Sequence, residues 1–209
     1  MMNRRSILGI LPAGVALGLL PVSMSCAASP AGSAVDTIKS FYDTLLSVMQ
    51  QAKALGLKGR YEKLAPAIHK AFNLPLMTRL SVGPDWQKIG PDDQKKLTDA
   101  FSDLSISTYA ARFDGYSGEH FDVDPNPTPT SGGVIVNSKL VQKSGEPVQL
   151  NYLMREGEGG WQILDVFLKG TISELATRRS EFSTVLRRDG AQALVQLIEN
   201  RAADLKKSA

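Results

Sequence analysis

The chain has 209 residues, 43% of them hydrophobic and 22% charged, which excludes a largely disordered polymer and suffices for one core without disulfide staples. The formal net charge is +3, and Arg4 and Arg5 carry two of those charges. What remains is too close to neutral to argue for nucleic acid or for firm attachment to an anionic membrane.

The first segment reads as an export signal. Met1 to Arg5 is short and basic, Ile7 to Val22 is apolar, and the small residues Ser25, Cys26, Ala27 and Ala28 follow. That is the order of a cleaved secretory signal. Pro12 and Pro21 interrupt the apolar run, which is short for a membrane span. A signal over residues 1–28 and a small-residue linker over 29–34 are expected, with a cut near Ala34 as the alternative. Asn3-Arg4-Arg5-Ser6-Ile7-Leu8 is similar to a twin-arginine export signal. Cys26 is the only cysteine; with Ser23 three residues before it, it matches a lipid-attachment site poorly. A cut after Ala28 leaves no thiol.

Ser33 and Asp36 have capping-box spacing. Ile38, Phe41, Tyr42, Leu45, Met49 and Ala52 then recur at helical spacing, predicting a helix from Val35 to Ala54, punctuated by Gly56 and Gly59. A second helix is predicted over Arg60–Phe72, with Leu64, Ile68 and Phe72 on one face. A short third one opens at Pro75 and ends at Gly83-Pro84. Pro91, followed by Asp92 and Asp93, suits a helix start; this helix carries Leu97, Phe101, Leu104 and Tyr109 towards Phe113.

After Tyr116 the period becomes alternating. Phe121 and Val123 make a short strand, and a loop rich in Pro and Gly follows to Gly133. Val134 and Val136 alternate with Ile135 and Asn137. Val148, Leu150, Tyr152 and Met154 share one face of the next strand, and Trp161, Ile163 and Asp165 alternate with Gln162, Leu164 and Val166. Short turns between such runs mean antiparallel hairpins. Thr171 with Glu174 has capping-box spacing for a helix reaching Arg188 and Asp189-Gly190. A last helix carries Leu194, Leu197 and Ile198, and the basic tail with Lys206 and Lys207 reads as solvated. Helices, then a meander of about four strands, then helices make an α+β fold, in which a curved sheet packed against helices can enclose an apolar cavity.

No phosphate loop, H-E-x-x-H, C-x-x-C or G-x-S-x-G motif is present. His69 and His120 read as surface residues too far apart in the chain for a metal pattern. The best catalytic candidate is Tyr152 with Asp165, on neighbouring strands, as donor and base in an apolar pocket. The simpler reading is that Asp165 satisfies backbone donors or pairs with an arginine. The aromatic set Phe101, Tyr109, Phe113, Tyr116 and Phe121 reads as core or as ligand wall, core being the simpler reading for each. Arg112 either reaches an anionic headgroup at a pocket mouth or pairs with a nearby carboxylate.

Several segments carry a family resemblance: Ala65-Pro66-Ala67-Ile68 leading to Phe72-Asn73-Leu74-Pro75; Gly83-Pro84-Asp85-Trp86; Tyr109-Ala110-Ala111-Arg112-Phe113 with Tyr116; and Tyr152-Leu153 with Gly160-Trp161-Gln162-Ile163-Leu164-Asp165-Val166, Gly170 and Phe182. In this order and spacing the chain resembles the MlaC-type family of periplasmic lipid-binding proteins, also called the toluene-tolerance auxiliary family. Within it, the wording looks like the hopanoid-biosynthesis-associated HpnM branch. Two departures stand out. Asn73 replaces the family's common Asp and reads as a helix cap, and Thr171-Ile172-Ser173 follows Gly170 where Val-Ser is usual.

The resemblance implies an NTF2-like or cystatin-like domain over 35–209, with helices at 35–114, the sheet at 119–169 and helices at 172–206. It implies a periplasmic carrier, not an enzyme, that shuttles phospholipid or a hopanoid-type lipid between membranes or membrane complexes. Its partners would be that lipid, an inner-membrane ABC transporter complex with an anchored substrate-binding protein, and transiently the membrane, but no nucleic acid. No cofactor or metal is implied. An enzyme acting in the same pocket and a lipid-free adaptor are the alternatives. The lipid wall is expected from Val134, Val136, Val148, Leu150, Tyr152 and Met154 on the sheet. Opposite it stand Phe41, Leu45, Met49, Ile68, Phe72, Met77 and Leu80, then Phe101, Leu104, Tyr109 and Phe113.

Overall fold

The computed structural model describes residues 33–207, so the signal over 1–28 and most of the linker lie outside the described residues. Helix α1 spans Ala34–Gln50 and opens on the expected capping box: Ser33 Oγ accepts from Asp36 N at 3.1 Å, and the Asp36 carboxylate accepts from Ser33 N at 2.9 Å. Helix α2 spans Ala52–Ala71, with a kink at Gly56. The Gly56 backbone is not helical, so the chain breaks where the sequence punctuates it, while α1 stops at Gln50 instead of reaching Ala54.

Helix α3 spans Leu74–Val82 and, after a short 3-10 turn, α4 spans Pro91–Arg112. Asn73 caps α3 as read from sequence, its Oδ1 accepting from Leu76 N at 3.1 Å. Its backbone N donates to Ile163 O at 3.0 Å and its amide to Gln162 at 3.0 Å, which clamps the α2–α3 corner to the sheet. Arg60 is buried; its guanidinium donates to Ala110 O at 2.7 Å and Ala52 O at 3.3 Å. Those carbonyls satisfy a cation that would otherwise be costly to bury.

The sheet is an antiparallel meander of bent strands: β1 His120–Val123, β2 Thr128–Thr130, β3 Gly133–Val136, β4 Ser138–Val141, β5 Val148–Gly157, β6 Gly160–Leu168 and β7 Ile172–Ser173. β1 pairs with β4 and β2 with β3, while β3 and β4 both lie along one edge of β5. The expected four strands are recognisable in this order. The segment expected as a loop to Gly133 instead contains β2, which continues the line of β1 beyond Pro125 and Pro127; the second expected strand is broken at Asn137, and β7 adds a short edge. Pro129 sits on the edge strand β2, where a missing N–H costs the ladder nothing. A bulge leaves Leu164 without a partner between the Leu153–Asp165 and Met154–Ile163 pairs. Breaks and bulge together curve the sheet.

Gly133 is required at that curve. Its φ is 142°, and a Cβ there would lie 2.0 Å from the Met154 carbonyl oxygen. Helix α5 spans Glu174–Lys207, with a break at Gly190 where the sequence divides it. Its cap differs from expectation. Ser173 Oγ, not Thr171, accepts from Ala176 N at 2.9 Å, because Thr171 is taken up by a turn to Leu168 O. The tail differs too: Lys206 is not simply solvated but pairs with Asp103 at 2.6 Å and lies over the Tyr61 ring.

Candidate functional site

The helices cover one face of the curved sheet and leave an apolar cavity of about 320 Å³, at the low end of the roughly 300–1,000 Å³ usual for ligand pockets. It lies against the start of β5 and the end of β6. The sheet supplies Leu140, Val148, Leu150, Tyr152, Val166 and Leu168; the helical side supplies Phe72, Met77, Phe101, Tyr109, Phe113 and Leu175. Ser105 and Thr108 also line it, yet their hydroxyls donate back to Phe101 O at 2.8 Å and Leu104 O at 2.7 Å. This back-bonding turns the hydroxyl protons of α4 away from the cavity.

The phenols of the floor are held by one another. Tyr42 Oη is 3.0 Å from Tyr152 Oη and 2.6 Å from Ser138 Oγ, which bonds on to Leu150 O. Burial raises the pKa of Tyr42 to about 12 and pushes Tyr109 and Tyr152 up as well. All three therefore present neutral hydroxyls at neutral pH.

The predicted wall divides in two. Phe72, Met77, Phe101, Tyr109, Phe113, Val148, Leu150 and Tyr152 line the cavity. Leu45, Met49, Ile68, Leu104, Val136 and Met154 are instead buried core, with Val134 packed against it. Phe41 stands one layer behind the wall, edge-on to Phe72 and Tyr109 at 5.2 and 5.3 Å. The physical reason is α1, whose side chains fill the space between α2 and the sheet and leave the opening at the α4–α5 end. Leu80 is 41% exposed, because the inner face of α3 runs through Leu74, Met77, Thr78, Ser81 and Val82.

Tyr152 and Asp165 are not brought together. Tyr152 pairs across the strands with Val166, and Asp165 pairs with Leu153, so alternation sends the two side chains to opposite faces. Asp165 is buried and serves α5: its carboxylate accepts from Leu175 N at 3.1 Å, from Val166 N at 2.8 Å and from the Ser173 hydroxyl. It satisfies backbone donors, the simpler of the two readings made from sequence. His69 and His120 are exposed, and His120 lies 3.6 Å from Asp122. Among the described residues no group of three or more His, Cys, Asp or Glu could hold a metal, and no helix is long and apolar enough to cross a membrane.

Four charged side chains also line the cavity: Arg112, Lys169, Glu174 and Arg178. Of these, Arg112 alone is read from sequence as a residue of a pocket mouth; Glu174 is read only as a helix cap, and Lys169 and Arg178 sit in a turn and on a polar helix start. A second cleft, about 630 Å³, lies between α1, α2 and the β5–β6 turn; Asp36, Thr37, Lys63 and Lys70 make it polar, which suits an apolar ligand less than the smaller cavity does.

The profile of the MlaC protein family matches residues 39–200, the greater part of the chain. The protein belongs to the MlaC family. The structure is also similar to that of a phospholipid-binding protein from Ralstonia solanacearum, solved in complex with a phospholipid. The TM-score is 0.73 at 24% identity, over 83% of this chain and 99% of that one. At this identity the likeness is one of fold. No curated protein matches the sequence.

Proposed function

We propose that this MlaC-family chain is a lipid carrier that encloses acyl chain between β5–β6 and helices α3, α4 and α5, with the headgroup at the charged side chains of the lining. The observation that carries this reading is the cavity itself, apolar on both walls and with the α4 hydroxyls turned back into their own helix. Each lipid CH₂ kept from water there contributes about 0.8 kcal/mol. The phospholipid held by the similarly folded Ralstonia protein makes phospholipid the first cargo class to consider. The resemblance to the HpnM branch makes a hopanoid-type lipid the second.

The rest of the reading follows from family membership and from the export signal over residues 1–28. The mature domain works in the periplasm and moves its lipid between membranes. It meets an inner-membrane ABC transporter complex through an anchored substrate-binding protein, without chemical turnover of the cargo. The test is uptake. Delipidated protein is incubated with phospholipid vesicles, separated from them and weighed by native mass spectrometry. A shift by the mass of bound lipid is expected, and protein that stays at its bare mass overturns the reading.

A further inference from the structure

Three cations line the cavity from three separate elements. Arg112 is the last residue of α4, Lys169 stands in the β6–β7 turn and Arg178 is one turn into α5. A single carboxylate accompanies them in the lining, Glu174, and it comes no closer than 3.8 Å to Arg178. Among the described residues no carboxylate lies within ion-pairing distance of Arg112 or Lys169. Arg178 lies over the Phe101 ring at 5.5 Å, with only 19% of its side chain exposed. Burial lowers its pKa; Glu174 opposes the shift and Arg112 adds to it. Glu174 offsets part of this on Arg178, but one carboxylate does not balance two guanidiniums and a lysine in the same lining.

Lys169 adds a second, independent observation. Its φ is 51°, the only positive value at a non-glycine among the described residues. With Gly170 at 79° and Thr171 N donating to Leu168 O at 3.2 Å, it forms a two-residue turn with both central φ angles positive. Such turns favour Asn or Gly at the first central position. A lysine there sits in a conformation that costs an L-residue about 1–2 kcal/mol. Strain of this kind persists where the side chain has a task, and this residue lines the cavity while remaining exposed to solvent.

We propose that Arg112, Lys169 and Arg178 form an anion collar at the cavity mouth, and that the cargo is accordingly a lipid whose headgroup carries net negative charge rather than a zwitterionic or uncharged one. This rests on the carrier reading above. The guanidinium forks match phosphate oxygens, and the lysine adds a point charge. A zwitterionic headgroup brings an ammonium that the same cations repel. An uncharged one leaves the largely buried Arg178 guanidinium unanswered, so discrimination comes from the mismatch as much as from the match.

The phosphate recognised belongs either to the cargo or to the membrane surface, and two arms separate these. In the first, delipidated full-length protein is titrated with dihexanoyl phosphatidylglycerol and dihexanoyl phosphatidylcholine, both kept monomeric. The anionic lipid should bind about tenfold or more tightly. That ratio should fall to about threefold or less in Arg112→Gln, Arg178→Gln and Lys169→Asn. Lys169→Asn suits the turn, so it should raise the melting temperature while lowering the ratio, which separates loss of the collar from loss of fold. Equal affinities in the wild type, or a preference that survives all three substitutions, overturn the collar and leave the carrier standing. Binding of neither lipid overturns the carrier reading, and the collar with it. In the second arm, sedimentation with vesicles of phosphatidylglycerol or phosphatidylcholine is compared across the same variants. Weaker vesicle attachment with an unchanged monomer ratio overturns the assignment to cargo and gives the cations to the membrane surface.

Discussion

Tyr42 Oη lies 2.6 Å from Ser138 Oγ, a buried bond that ties the first helix to the first residue of β4. The same phenol is 3.0 Å from Tyr152 Oη and stacks on Phe121, so it sets how α1 lies behind the cavity wall. Tyr42→Phe keeps the ring and removes the hydroxyl. Ser138 retains its bond to the Leu150 carbonyl, which limits the damage to about 1–2 kcal/mol in a urea titration. No change in stability would mean that the hydroxyls do not fix α1.

The same phenols set the alkaline limit. Burial raises the Tyr42 pKa from 10.0 to about 12, so the folded state holds that proton more tightly than the unfolded state does. The resulting stability is fully present below pH 10 and is lost as pH rises through about 12. Stability measured against pH should fall across this window, and less steeply in Tyr42→Phe than in the wild type. Parallel curves would contradict the assignment.

Gly133→Ala tests the sheet. The added Cβ meets a backbone carbonyl at 2.0 Å, not the flexible end of a side chain, so β3 must shift against β5. We expect a loss of at least about 2 kcal/mol, since the forced backbone change adds strain to a broken ladder. Chemical denaturation reads it directly, and an unchanged midpoint would count against the register at Met154.

Asp165→Asn separates structure from catalysis. The carboxylate accepts from Leu175 N and Val166 N and from the Ser173 hydroxyl. An amide keeps one acceptor oxygen and puts an NH₂ against a donor. The expected loss is about 1–3 kcal/mol of stability, with lipid loading per folded molecule unchanged. A variant that loads normally but has lost conversion of a lipid would restore the enzyme reading.

The sequence makes the helices and the meander visible because their apolar periods are strong, and the breaks at Gly56 and Gly190 fall where glycine marks them. The end of α1 at Gln50 is not visible, since the turn from Ala52 to the Gly56 kink carries no apolar repeat that separates it from the first helix. Thr171 and Glu174 have the right spacing for a cap, yet the helix is capped by Ser173 and by Asp165 from another strand, an acceptor that local pattern cannot reveal. Among site residues, Leu150, Tyr152, Phe101 and Tyr109 are recognisable from their faces. Leu45, Met49 and Ile68 share the same apolar signature but are core, because whether an apolar face meets a cavity or a neighbouring helix depends on how the helices pack. Lys169, Glu174 and Arg178 escape an apolar criterion altogether; only the meeting of the β6–β7 turn with α5 places them in the lining.

Leu150 is 8% exposed and lines the cavity from the centre of the sheet wall, so Leu150→Trp should fill the opening while the fold persists. Mass spectrometry of lipids extracted from natively purified protein, wild type beside Leu150→Trp, tests the carrier most directly. The predicted result is stoichiometric lipid on the wild type and little or none on a variant with the same circular dichroism. Wild-type protein that is lipid-free and takes up none from vesicles, or a variant as fully loaded as the wild type, would contradict a lipid carried in this cavity.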